Sequence, residues 1–295
     1  MNSFGIEKAT TIRYPSTANV QIDSNDRDTA NPWNFQITKN QALQNGFFSR
    51  IATTEVVLEW YNPNVDTQLN NTSFYVDISG VGANTFSGTV NTSLVSGFYT
   101  VAQALDRLAA QLTDLSGTTG TAFAATTVFG YPALVASGGV FRNNATQGII
   151  LATQLGLPAS VSTPFLPAQF IQGSDLRPYR YLDFTSSQLT YNQDLKDNST
   201  ADIERDVLCR WYFAWDTPPE LDTLGIPILM GYTPFVARRL YNPPKQIKWD
   251  PTQPLGNLAF EVFYSDRLKF TGPVPAYPVS TNPSNWLMTL QLSEN

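Results

Sequence analysis

Residues 285–292, NWLMTLQL, carry a large apolar side chain at every second position, namely Trp286, Met288, Leu290 and Leu292. Successive side chains of a β-strand point to opposite faces, so this spacing puts all four on one face. A period of two is typical of an antiparallel strand with one buried face. The stretch therefore predicts a strand whose apolar face lines a core.

The same alternation recurs along the chain. It is found in four further runs, at 56–60, 74–78, 207–215 and 258–264. Segments rich in Asn, Gly and Pro separate these runs, and the template yields roughly a dozen candidate strands. The sequence therefore predicts a mainly-β protein.

One segment has the pattern of a helix. Thr100 followed by Gln103 forms a capping-box motif. After it, apolar residues recur at spacings of three and four, as Val101, Leu105, Leu108, Leu112 and Leu115. This predicts a helix at about 100–114, ended by Gly117. One helix among many strands favours a β-sandwich with an inserted helix over an α/β fold.

Long proline-rich connections separate groups of strands. They span residues 155–179, 216–227 and 272–285. Such loops between short strands suit a jelly roll, whose loops gather at the two ends of the sandwich. We predict one elaborated jelly-roll domain over 1–295, with a short N-terminal arm at 1–10 and any subdivision near 155–179.

The composition favours a protein that packs against neighbours. Of the 295 residues, 42% are hydrophobic and only 14% are charged, against an average of about 25% charged. The net charge of −6 argues against nucleic acid as a specific partner, because phosphate binding needs a clustered basic surface. The small basic groups, Arg238-Arg239 and Lys245 with Lys248, are predicted to form surface ion pairs.

The chain is poor in residues for catalysis or metal binding. It has no histidine and one cysteine, Cys209, which removes the common general base and nearly every zinc site. We predict that Cys209 is a buried small hydrophobe. No catalytic, cofactor-binding, metal-binding or nucleic-acid-binding residue is predicted, and no cofactor. The sequence also predicts no signal peptide and no membrane span.

Two carboxylate pairs remain as routes to catalysis. Glu55 and Glu59 lie four residues apart on a predicted strand, about 13 Å from each other at the usual rise. That exceeds the separation of about 5–9.5 Å in glycosidases. Glu220 and Asp222 lie in a loop with no evident partner. We interpret all four as solvated or turn residues.

The segment 23–28, DSNDRD, superficially resembles a calcium-binding loop. It lacks the glycine at the sixth position and the glutamate at the twelfth, where Asp28 and Asn34 stand. We predict a turn in which Asp and Asn side chains bond to the backbone and Arg27 pairs locally.

Tryptophans could form a platform for sugars, but at alternating strand positions an aromatic side chain is usually in the core. Trp33 and Trp249 adjoin prolines and loops. We therefore expect these two to be the most exposed of the six tryptophans.

A series of short motifs carries a resemblance that spans about residues 20–293. In order they are Ile22-Asp23-Ser24, Asp26-Arg27, Asn34–Ile37, Glu59–Val65, Asn70-Asn71, Phe74–Ile78, Gly97–Thr100, Leu155–Leu157, Tyr181–Phe184 with Ser186, Ser187 and Leu189, Pro244–Ile247, Leu258–Tyr264 with Asp266, and Asn285–Leu290. The series resembles the jelly-roll minor capsid and penton proteins of large eukaryotic DNA viruses, virophages and polinton-like viruses. One departure is Arg267, where a hairpin glycine is expected.

The resemblance implies a capsid subunit in the virion, assembled inside the host cell. Its partners would be the major capsid protein, neighbouring minor capsid proteins and further copies of itself, with a pentamer at the fivefold vertex favoured over a cement protein. The residues of its interfaces are not predicted. Two alternatives remain open: a carbohydrate- or receptor-binding β-sandwich, and a jelly-roll glycosidase.

Overall fold

The computed structural model describes residues 16–37, 48–80, 88–116, 121–144, 146–158, 164–190, 207–213, 220–250, 257–265, 270–273 and 284–294. Its strands in chain order are β1 (Thr17–Asp23), β2 (Asn34–Ile37), β3 (Arg50–Trp60), β4 (Ser73–Gly80), β5 (Gly88–Ser93), β6 (Ala122–Val128), β7 (Tyr131–Ser137), β8 (Gly139–Asn143), β9 (Ala168–Phe170), β10 (Tyr181–Thr185), β11 (Val207–Tyr212), β12 (Phe235–Leu240), β13 (Gln246–Lys248), β14 (Leu258–Ser265), β15 (Phe270–Pro273) and β16 (Asn285–Ser293). The helices are α1 (Val101–Leu115) and α2 (Ile149–Gln154).

Two antiparallel sheets form a jelly-roll sandwich. Sheet A has the order β1-β16-β3-β12, with β13 also paired to β3. In sheet B, β14 pairs with β10 and with both β2 and β15, and β10 pairs with β11. The first and last strands are neighbours, and the chain moves repeatedly between the sheets, as in a jelly roll. The predicted fold class is confirmed.

The apolar faces of the two sheets meet in what we call the sandwich core. Trp286 on sheet A illustrates the packing, because its ring centroid lies 5.1 Å from that of Phe184 and 5.6 Å from that of Phe260, both on sheet B. The members of the sandwich core are Ile22, Trp33, Phe35, Ile37, Phe48, Ile51, Val56, Leu58, Trp60, Tyr179, Leu182, Phe184, Leu189, Leu208, Cys209, Trp211, Phe213, Ile247, Trp249, Leu258, Phe260, Val262, Trp286, Met288, Leu290 and Leu292. The alternation in the sequence thus marks the inward face of each sheet.

A second group of elements lies between β3 and β10 in the chain. It contains the sheet β5-β4-β8, the sheet β6-β7-β9 and both helices. Their buried residues form what we call the insert core: Val65, Phe74, Val76, Ile78, Leu94, Val101, Ala102, Ala104, Leu105, Leu108, Ala109, Leu112, Phe123, Leu134, Ala136, Phe141, Leu151, Ala152, Leu155, Leu157, Leu176, Leu224, Ile226, Leu229 and Tyr232. The last four come from the connection between β11 and β12.

Local signals place α1 as predicted. The Thr100 hydroxyl accepts a hydrogen bond from the Gln103 amide, and the Gln103 side chain accepts one from the Thr100 amide, which completes the capping box. The Asn64 side chain donates to the Tyr99 carbonyl and accepts from the Tyr99 amide. This motif asparagine therefore fixes the entry into the helix.

Three features differ from the sequence prediction or fall outside the described residues. A second helix, α2, follows Gly148, whose φ is +62°, and the connection 155–179 contains the short strand β9. Helical and strand periods are hard to detect in segments this short. Gly117, Trp215, Asp266 and Arg267 lie outside the described residues, as does the arm at 1–10. The single-domain assignment stays a prediction.

Candidate functional site

Two of the four carboxylates considered for catalysis, Asp222 and Glu55, have structural partners. Asp222 is a turn residue, as interpreted, because it accepts hydrogen bonds from the amides of Leu224 and Ile226, and it also accepts one from the more distant Ala102 amide. The bond to Ala102 holds the connection between β11 and β12 against the first turn of α1, where a negative charge is favourable. Glu55 is paired with Arg238 on the outer face of sheet A.

The predicted turn at 23–28 is present. Asp23 accepts a hydrogen bond from the Asn25 amide, and Ser24–Asp26 form one 3₁₀ turn. Arg27 donates to the Ser24 carbonyl and to the Asn285 side chain at the start of β16, while Asp28 accepts from the Gln36 amide. Within the described residues, no group of three or more Cys, Asp and Glu side chains is close enough to hold a metal ion.

The expected exposure of Trp33 and Trp249 was wrong. Their exposed fractions are 1% and 6%, and the Trp33 ring packs 5.7 Å from that of Trp60. Both residues lie outside regular strands, yet the segments that carry them fold under the sheets. A sugar platform could therefore not be built from this pair.

Two of the predicted roles on the strands are confirmed. Cys209 is buried, and burial raises the pKa of its thiol to about 12, which keeps it a neutral, unreactive side chain. Arg238 forms the predicted surface ion pair, with Glu55. The Arg239 guanidinium stacks 5.2 Å from the Trp211 ring centre, and Lys245 donates to the Val207 carbonyl.

The outer face of sheet A has a shallow cleft of about 170 Å³. It is lined by Asp23, Asn25, Val57, Glu59, Asn285, Trp286 and Leu287. The Asp23 carboxylate already caps the turn. The cleft could receive a polar side chain from a neighbour, but its geometry has none of the convergent groups that a reaction needs.

Exposed apolar side chains mark two other surfaces. On β12, Val236 and Leu240 both point away from the sandwich, one on each side of Arg238. At the tip of the β6–β7 hairpin, Phe129 is 92% exposed and Tyr131 is 66% exposed. Exposed apolar side chains that cluster are characteristic of protein–protein contacts.

Sequence reasoning missed both surfaces. The alternating template detects buried faces, whereas Val236 and Leu240 alternate on the exposed side of an edge strand. For the hairpin a signal was available: Phe129 precedes Gly130 between two apolar runs, where a two-residue turn prefers Asn-Gly. An aromatic residue in that position is therefore not a requirement of the turn.

None of the helices in the described parts of the chain is both long and apolar enough to cross a bilayer.

No family model and no curated protein matches the sequence. The crystal structure of the mavirus penton protein matches with a TM-score of 0.55 at 10% identity, covering 96% of this chain and 100% of that one. A chain of the Sputnik virophage, from a cryo-EM structure at 3.5 Å resolution, matches with a TM-score of 0.51 at 11% identity, covering 95% and 98%. The chain is therefore similar in fold to a virophage penton protein over nearly its whole length, as the motif series predicted.

Proposed function

We propose that this protein is a structural subunit of an icosahedral viral capsid and that it forms the fivefold vertex. The observation that carries the proposal is the full-length match in fold to the mavirus penton protein, with all of that chain covered. The match covers 96% of this chain, so it extends beyond the sandwich into the insert. Jelly rolls serve many functions, and this extent of the match is what favours the capsid.

The surface supports assembly with other proteins. Only 14% of residues are charged, and exposed apolar side chains lie on β12 and at the β6–β7 tip. A vertex ring needs one heterologous interface repeated around a closed axis. The proposed partners are copies of the same chain, the major capsid protein and neighbouring minor capsid proteins. A cement protein between capsomers is the alternative placement within the same shell.

A structural role without catalysis also agrees with how the polar residues are used. Asp222 and Glu55, two of the four carboxylates considered for hydrolysis, are engaged by backbone amides and by an arginine. Trp33 and Trp249, the two tryptophans expected to be most exposed, lie in the sandwich core. These side chains contribute to folding, and the exposed surface is left for contacts with neighbours.

The direct test is to examine purified, salt-washed virions for the chain and to locate it by cryo-EM. We expect it in the particles, with five copies around each vertex. Copies between the capsomers would instead assign the cement role. Absence from particles that retain their other capsid proteins would contradict the proposed function.

A further inference from the structure

The tip of the β6–β7 hairpin combines two unfavourable features in one residue. Val128 pairs with Tyr131, so Phe129 and Gly130 form a two-residue loop. Both loop residues have positive φ, +52° at Phe129 and +82° at Gly130. Type I′ turns require this geometry, and they prefer Asn or Gly at the first position because a bulky side chain is strained there. Phe129 is also 92% exposed.

Neither feature helps the isolated subunit. An exposed phenylalanine gains nothing from burial, and a left-handed backbone conformation is costly for an aromatic residue. Single exposed apolar residues are common on protein surfaces. It is uncommon, however, for one residue to be both strained and almost fully exposed, as Phe129 is beside the exposed Tyr131. Strained residues of this kind tend to occur at functional sites.

The outer edge of β6 has hydrogen-bond partners near its start but, among the described residues, is not paired with another strand toward the tip. Near its start, the Thr113 hydroxyl of α1 donates to the Phe123 carbonyl and accepts from the Phe123 amide. These outward-facing groups are thereby satisfied. Because backbone groups alternate along a strand, those of Ala125 and Thr127 point to the same outer side. In the described part of the chain, no strand pairs with that edge, and Ala125–Val128 contain no Lys or Pro to protect it.

Charge indicates what covers this surface. No charged residue stands between Asp114 and Arg142, a stretch that contains the whole hairpin. Two copies of a chain with a net charge of −6 repel each other, so they approach most easily through an uncharged surface. A basic partner or an anionic lipid surface would gain no charge attraction from this tip. A second copy of this chain, which elsewhere presents a net negative charge, meets no charge repulsion here, and on this basis we take it as the occupant.

We propose that the β6–β7 tip is a self-association contact, in which Phe129 inserts into an apolar site on a neighbouring copy. The proposal rests on the proposed function only in naming that neighbour as another shell subunit. In a ring the contact is heterologous, so each copy both donates a tip and receives one. Phe129 then acts as the buried aromatic anchor of the interface.

The test is Phe129→Asn in the full chain, because it creates the Asn-Gly pair that the turn prefers. We expect association at least about 30-fold weaker, the effect of losing one anchor residue, measured by sedimentation and native mass spectrometry. At a concentration where the chain is monomeric, we expect the melting temperature to rise by about 2 °C as the strain is relieved. The same substitution is thus expected to weaken association, because the contact is lost, and to stabilise the monomer, because the strain is relieved.

The matched control is Val95→Asn, which removes another exposed side chain, 76% accessible, without a positive φ. It should change neither measurement. A wild-type chain that stays monomeric up to about 1 mM would overturn the proposal, as would unchanged association of the Phe129 variant or equal weakening by the control. A lower melting temperature of the Phe129 variant would refute the strain.

A lipid role is tested with phosphatidylcholine vesicles. Flotation of a monomeric wild-type chain with the vesicles, lost in Phe129→Asn, would assign the tip to membranes and overturn the self-contact. The proposed function fails separately, through absence of the chain from virions. A monomeric chain that is present in virions would leave the capsid role in place and remove only this contact.

Discussion

The sandwich core and the insert core are built from different residues and different contacts. The sandwich core contains five tryptophans, at positions 33, 60, 211, 249 and 286, whereas the described insert core contains none. The sandwich joins distant parts of the chain, since β1 pairs with β16. The insert is mostly local, with the neighbouring hairpins β4–β5 and β6–β7 and a helix rich in Leu and Ala. Large aromatic side chains therefore hold the long-range fold, and local signals build the insert.

Within the described residues, the chain passes between the two cores after β3, before β10 and before β12. Arg177, which precedes β10, donates to the carbonyl of Phe213 in the sandwich core. Next to it, the Leu176 amide donates a hydrogen bond to the Tyr232 hydroxyl within the insert core. Asn62 and Ser284 are bonded near the end of β3. These contacts predict that the cores unfold together, in agreement with the predicted single domain.

The largest effect is expected at Trp286. Replacement by Ala removes a ring that contacts Phe35, Phe184 and Phe260 and a hydrogen bond from its indole nitrogen to the Pro32 carbonyl, at 2.8 Å. We expect the free energy of unfolding to fall by about 4 kcal/mol, measured by urea denaturation. Trp286→Phe, which retains a ring, should lose less and supplies a variant that folds.

The neighbouring Leu287 is the control for that change, because it lies on the opposite, outer face of β16. Leu287→Ala should lower the free energy of unfolding by less than about 1 kcal/mol. Equal losses at the two positions would contradict the assignment of the inner face.

The coupling of the cores is tested at Leu105, which is fully buried in α1. Leu105→Ala should lower the free energy of unfolding by about 3 kcal/mol. Tryptophan fluorescence reports the sandwich, and circular dichroism at the helix band reports α1. Because the cores are predicted to unfold together, we expect both signals to shift to the same lower urea concentration.

Leu115→Ala is the matched control on the same helix, since Leu115 is exposed. A third probe is Cys209, whose buried thiol should resist thiol reagents until the sandwich opens. Leu105→Ala should speed its labelling if the cores are coupled. A shift of the helix signal alone, with unchanged fluorescence and labelling, would mean two independent units.

Sequence reasoning found the strand faces but not the strand partners. Alternation at 286–292 and 258–264 marked the inward residues correctly, because the period of two is a local property. That β1 lies beside β16, and that Trp33 packs against Trp60, depends on contacts between distant segments that no local pattern encodes. The error at Trp249 has the same cause, because this residue was judged by its loop surroundings, whereas tertiary contacts bury it.

The candidate surfaces were harder to predict than the core. Burial follows from apolar spacing, but exposure of Phe129 or Leu240 depends on whether another element covers them. The resemblance supplied the fold and the expected role without any interface residue. The positive φ at Phe129 is a property of the folded hairpin, and only the structure revealed it.

The smallest effect on stability is expected from a change at Asp77. This residue belongs to the insert, where it makes polar contacts, unlike the aromatic packing of the tryptophans in the sandwich core. Its carboxylate joins three strands, accepting hydrogen bonds from Thr89, from Asn144 and from Arg142, at 2.8, 3.0 and 3.2 Å. Burial alone would raise the pKa of Asp77, but these three hydrogen bonds outweigh it and lower the pKa below 3.8. The ionised carboxylate therefore stabilises the fold above pH 3.8. This contribution is lost as the pH falls further, through the lower pKa of the folded state.

Asp77→Asn keeps the shape of the side chain and removes its charge. At neutral pH we expect the variant to be less stable than the wild type by about 1–2 kcal/mol, measured by urea denaturation. The difference in stability should narrow as the pH falls below 3.8, because the unfolded wild-type chain then binds a proton that the folded carboxylate takes up only at a lower pH. Asp106→Asn, at an exposed position of α1, should show no such convergence. A gap at Asp77 that stays constant into the acid range would mean that shape, and not charge, holds the three strands of the insert together.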